Sequence, residues 1–111
     1  MKKHILSALA LGLIATNANA ACAATGCVNV LIESVLATSN GNVLISTNGD
    51  ENALNCTAPG GGKFMTLKAD IPGQKTMYSA LLSTFVTKQK VQINIIPGSS
   101  TCEIAFINLL K

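Results

Sequence analysis

Four cysteines, Cys22, Cys27, Cys56 and Cys102, carry most of the chemistry this sequence has to offer. Thiols serve as metal ligands, as redox or nucleophilic centres, or as halves of disulfides. The 22/27/56/102 spacing contains no C-x2-C knuckle, which argues against a structural zinc site. An even count in a short chain, exported as argued below, reads instead as two disulfides, because so small a core needs covalent support. Four cysteines allow three pairings. Local geometry favours Cys22–Cys27, separated only by Ala-Ala-Thr-Gly, which leaves Cys56–Cys102 as the long-range bridge.

The other ingredients of catalysis are sparse. His4 is the single histidine and lies in the leader, so the exported chain cannot build a Ser-His or Cys-His pair. Serines and lysines are plentiful, but no motif marks a Ser-Lys dyad. Asp50-Glu51 reads as a solvated turn rather than as paired catalytic carboxylates, and the acids lack calcium-loop spacing. Gly60-Gly61-Gly62-Lys63 lacks the phosphate-loop spacing, with Phe64 where Ser or Thr belongs, and reads as a flexible loop. Asn55-Cys56-Thr57 matches the glycosylation sequon and is read as coincidence beside a bacterial-type leader. The sequence therefore predicts no enzyme, no cofactor and no metal.

The leader is the clearest signal. Lys2 and Lys3 precede an apolar run from Ile5 to Ala15, and Ala18 and Ala20 form the A-x-A arrangement of a Sec-type cleavage site. The run is too short for a bilayer, which needs about 20 apolar residues. Asn19 stands where a lipobox would need an aliphatic residue. Residues 1–20 are thus expected to be a cleaved signal peptide, and 21–111 a single domain in the periplasm or outside the cell, without a membrane span after processing. Its six lysines face Glu33, Asp50, Glu51, Asp70 and Glu103, a net charge of +1. With that charge, no arginine or tryptophan, and only Phe64, Tyr78, Phe85 and Phe106 as aromatics, nucleic acid is not an expected partner.

The elements that position these residues follow from periodicity. Val28 to Ala37 reads as a strand, Asn40-Gly41 as a type I′ turn, and Val43 to Thr47 as the returning strand. A loop over Glu51 to Lys63 leads to a third strand, Phe64 to Ala69. Lys75 to Lys88 changes to helical period, with Met77, Leu81 and Phe85 on one face and Thr76 a candidate cap. Val91 to Ile96 alternates as a strand, and Cys102 to Leu110 is a last strand, apolar on both faces. Phe85 and Phe106 are expected in the core. The fold is therefore mainly β with one helix, in the order β-β-β-α-β-β. That is the order of an OB-fold, a five-stranded Greek-key barrel whose third and fifth strands run parallel. Such a barrel would bring Cys56 and Cys102 to one end. A small open α+β sheet fits the same order.

The helix holds more apolar residues than one narrow face requires: Met77, Tyr78, Leu81, Leu82, Phe85 and Val86. Tyr78 lies off the main stripe, beside Leu82. A tyrosine joins apolar area to a polar handle and is enriched at binding surfaces. Tyr78 and Leu82 are the candidate interface residues, and the apolar excess points to self-association. The plainer alternative is an aromatic that covers the barrel mouth.

Cys56, Tyr78-Ser79-Ala80-Leu81-Leu82, Val91-Gln92-Ile93 and Cys102, together with the leader and early hairpin, form a layout that resembles the OB-fold B subunits of AB5-type toxins. The nearest kinds are those of subtilase cytotoxin and typhoid toxin, and the layout also looks like that of other small exported bacterial proteins. The resemblance covers most of the exported chain. It implies a homo-oligomer, pentameric by analogy, that binds cell-surface glycans. No ligand-contact motif aligns, so the ligand-binding residues are unassigned. The expected function is an exported, non-enzymatic binding or assembly domain. The alternative is a periplasmic interaction or accessory protein with a protein partner.

Overall fold

The computed structural model describes residues 19–111. Apart from Asn19 and Ala20, the expected signal peptide lies outside them. The described residues form seven strands and one long helix: β1 (Ala21–Ala23), β2 (Gly26–Val30), β3 (Ile32–Ala37), β4 (Val43–Thr47), β5 (Met65–Leu67), α1 (Gln74–Thr87), β6 (Val91–Ile95) and β7 (Ile104–Leu109). They form two antiparallel sheets, ordered β1-β2-β6-β7 and β3-β4-β5. The chain is thus mainly β with one helix, as the periodicity requires. The sheets do not join into one continuous closed ladder. Where β5 meets the residues that lead into β7 there is an isolated parallel bridge, Thr66 to Glu103, with the Thr66 amide donating to the Cys102 carbonyl at 2.9 Å.

Two features of the strand pattern do not follow from local periodicity. The added strand β1 pairs with β2 across a tight turn, and Val28 to Ala37 is two strands in different sheets rather than one. Asn29 adopts φ 57°, the left-handed region that asparagine tolerates better than most residues. The register shifts there, so both Cys27 and Val30 are buried. At Leu31 the ladder is replaced by Asn48, whose Oδ1 accepts from the Leu31 amide at 2.9 Å and whose own amide donates back to the Leu31 carbonyl at 3.1 Å. Both backbone groups of Leu31 are thereby satisfied at the corner.

The β3–β4 hairpin forms where Asn40-Gly41 places it, but not with a type I′ turn. Gly41 alone of that pair has positive φ, at 91°, and its amide donates to the Thr38 carbonyl at 3.0 Å. The loop is longer, with Thr38 and Asn42 bonded beyond the last ladder pair Ala37–Val43. A glycine in the left-handed position after an ordinary turn serves such loops.

Val30, Ile45, Met65, Leu67, Leu81, Val91 and Ile93 are fully buried in one core beneath the helix and between the sheets. Each side chain of this kind contributes about 1.5–3 kcal/mol on burial. Phe85 and Phe106, expected there, are 39% and 45% exposed. In α1 the third inward position goes to Thr84, whose hydroxyl donates to the Leu81 carbonyl at 3.0 Å and so enters the core satisfied. In β7 the register shift opposite Asn94 and Ile95 sets Phe106 across from Asn94, on the outer face. Thr76 is not the cap of α1. The helix starts at Gln74 after Gly73, without a side-chain cap, and ends at Lys88 in a left-handed conformation, φ 59°.

Both disulfides take the pairing that local geometry favours. Cys22 and Cys27 face each other directly across β1 and β2, with Cα atoms 3.9 Å apart. Cys56–Cys102 spans 46 residues with Cα atoms 5.0 Å apart, and ties the approach to β5 to the start of β7.

Candidate ligand and interaction surfaces

The four cysteines, Asp50 and Glu51 are committed to structure. All four cysteines are oxidised in pairs. Asp50 accepts from the Asn52 amide at 3.1 Å and caps a 3-10 turn, Glu51–Ala53. Glu51 is not the solvated turn residue that its sequence neighbourhood suggests. It is buried, and one carboxylate oxygen accepts from the Thr47 amide at 2.6 Å and the Thr47 hydroxyl at 2.7 Å. The glycines expected to form a flexible loop make a compact turn over Pro59–Gly62, in which Gly60 and Gly61 take the left-handed φ values 66° and 72°.

A groove of about 200 Å³ opens on the outer face of the four-stranded sheet. Its polar wall comes from β6. Val91, Ile93 and Ile95 point into the core, so the two-residue period of the strand turns Gln92 and Asn94 outward. The opposite wall is the β1–β2 hairpin, with Ala23, Thr25 and Gly26, and Val28 adds an apolar side chain. Gly26 sits directly opposite Asn94, so close that any Cβ there would strike the Ile93 carbonyl. Glycine is required at that approach. None of the lining residues carries a charge.

β7 extends this face. Across the ladder, Asn108 pairs with Gln92 and Phe106 with Asn94, and directly paired residues share a face. The three amides form a chain: Asn108 Nδ2 donates to Gln92 Oε1, and Gln92 Nε2 to Asn94 Oδ1, each at 3.3 Å. The result is an uncharged strip of amides with a half-exposed phenylalanine beside it.

The second surface lies on α1. Met77, Leu81 and Thr84 form the inward stripe, with Leu81 and Thr84 fully buried. Tyr78 and Leu82 lie one position further round, four residues apart on a common face. Tyr78 is half-buried against the core, and Leu82 is 36% exposed. Phe85 and Val86 continue this second stripe towards the helix end, Val86 being 76% exposed. The helix packs against β3 and β7, which carry the exposed Leu36 and Leu109.

The sequence marks Tyr78 and Leu82 through helical period. It does not mark the groove. Alternation shows that Gln92 and Asn94 share a face, but Asn108 and Phe106 join them only through the pairing of β6 with β7. Among the described residues no helix is long and apolar enough to cross a membrane. No family model, curated protein or solved structure matches the chain.

Proposed function

We propose that this chain is an exported, non-enzymatic binding domain that assembles with copies of itself and presents a glycan-binding face, a role like that of a toxin B subunit. The observation that carries the reading is the second apolar stripe of α1. Leu82, Phe85 and Val86 remain exposed beside an inward stripe that already completes the core, and contiguous apolar surface of this kind is typical of association sites. The lack of histidine in the exported chain and the commitment of Glu51 to Thr47 support a role without catalysis. Two disulfides suit the periplasm or the extracellular space.

We read the two sheets as an open variant of the OB barrel. The chain passes from one sheet to the other through Val30-Leu31-Ile32, and β5 meets the residues that lead into β7 in parallel, at Thr66 and Glu103. These are the strand relations that the barrel would need.

Native mass spectrometry of the exported product tests assembly, and a glycan array tests ligand class. A discrete oligomer that retains on the array is the expected result; a monodisperse monomer with no glycan retained overturns the proposal. The competing reading, an accessory domain with a protein partner, uses the same stripe. A stoichiometric partner in periplasmic pull-downs, with an empty array, would favour it.

A further inference from the structure

We infer that the free edge of β7 pairs antiparallel with β7 of a second copy of this chain, about a two-fold axis at Asn108, so that the four-stranded sheets of both copies become one. The inference rests on the self-assembly part of the reading above, not on its glycan part. It gives that assembly a contact and a symmetry.

Hydrogen bonding identifies the edge. The Leu110 amide donates to the Lys90 carbonyl at 3.0 Å. An antiparallel ladder alternates bonded and non-bonded pairs, so Leu110, Asn108 and Phe106 turn their backbone groups towards β6. Ile107 and Leu109 turn theirs away, and neither has a backbone partner among the described residues. Such a row of unpaired groups is a template for another strand, unless charge, proline or a bulge guards it. Residues 104–110 include neither charge nor proline. The register shift lies opposite Asn94 and Ile95, and Lys111 follows the last pair, so both guards stand outside residues 106–110. The other sheet edges offer less. β1 and β5 are three residues long, and β3 carries Glu33 and a register shift.

The residues that would meet identify the occupant. Pairing about Asn108 sets Phe106 against Leu110 of the second copy, Ile107 against Leu109, and Asn108 against itself. Apolar thus meets apolar on both faces, and an amide, which donates and accepts, can stand opposite its own copy. A shift of two residues would set Phe106 against Asn108 instead. Leu109 lies across from the fully buried Val91, yet is 42% exposed, because the core ends with β7. A second β7 extends the sheet over it. The net charge of +1 on the exported chain is too small to keep copies apart. A two-fold contact uses the same edge on both copies, so it closes at a pair and does not grow into a fibre. Opposed residues share a face, so both α1 helices fall on one side of the joined sheet.

The test is sedimentation of the exported product beside Asn108→Asp and Asn108→Lys. Asn108 is exposed, so circular dichroism should show the same fold in all three. The unmodified product should hold an even number of copies, a dimer at its simplest. Each variant opposes like charges at the axis and should weaken association at least about tenfold. Mixing the two variants should restore it, because opposite charges then meet. Hydrogen exchange gives a second reading that needs no variant. The amides of Ile107 and Leu109 should be protected in the assembly and lose at least about tenfold of that protection on dilution to monomer. An odd-numbered assembly, association indifferent to both substitutions, a mixture that fails to reassociate, or unprotected amides at 107 and 109 overturns the β7 contact and leaves self-assembly through α1 standing. A product that stays monomeric at every concentration removes the self-assembly reading and this inference with it.

Discussion

A carboxylate withdrawn from water must find donors, and Glu51 finds two on the one residue Thr47, at the end of β4. This contact closes the last turn of the strand against the 3-10 turn that follows it. Glu51→Ala leaves a buried amide and hydroxyl without an acceptor, and we expect it to cost about 1–3 kcal/mol in urea denaturation. Glu51→Gln keeps an acceptor and should cost less; equal losses for the two would refute the role given to the carboxylate. Lys88 poses the opposite case. It ends α1 at φ 59°, a conformation in which a Cβ is unfavourable. Lys88→Gly should raise stability by about 0.5–1 kcal/mol, seen as a higher denaturation midpoint with an unchanged slope.

At the scale of elements, α1 separates packing from exposure within one turn. Leu81 is fully buried, and Leu81→Ala should cost about 2–5 kcal/mol. Val86, five residues on and 76% exposed, belongs to the other stripe. Val86→Lys should leave the folded subunit's stability within about 0.5 kcal/mol and shift the product towards smaller species in sedimentation. Unchanged sedimentation would show that the stripe is not an interface. Helical period makes both stripes visible in the sequence, since residues four apart share a face. It does not say which stripe turns inward. The periodicity favoured Phe85, yet Thr84 is the residue that enters the core. The difference is a rotation of one residue, settled by the sheet under the helix and by the Leu81 carbonyl that satisfies the threonine hydroxyl.

Over the whole molecule, the disulfides act on different loop lengths. In the chain-entropy model the bridge from Cys56 to Cys102 stabilises by about 4 kcal/mol and that from Cys22 to Cys27 by about 2 kcal/mol. Replacing both cysteines of a pair by alanine should therefore cost more at Cys56 and Cys102, measured by chemical denaturation of the two double variants. The reverse order would mean that the hairpin bridge holds more than its own loop. It does border the groove, so the Cys22/Cys27 variant also reports on the groove wall.

The pairing of neighbouring cysteines, the hairpin at Asn40-Gly41, the single helix and the inward set on β6 were all legible in order and spacing, because each depends on contacts within about a dozen residues. What remained hidden depends on which distant strands meet. The exposure of Phe106 follows from a one-residue shift between β6 and β7, and such a shift turns a side chain to the opposite face. The split of the long first strand depends on Asn48 reaching back to Leu31, and the burial of Glu51 depends on the end of β4. The amide strip exists only because Gln92 and Asn108, sixteen positions apart, lie side by side. Local periodicity fixes a residue's direction relative to its own element; only the packed sheets decide what it meets there.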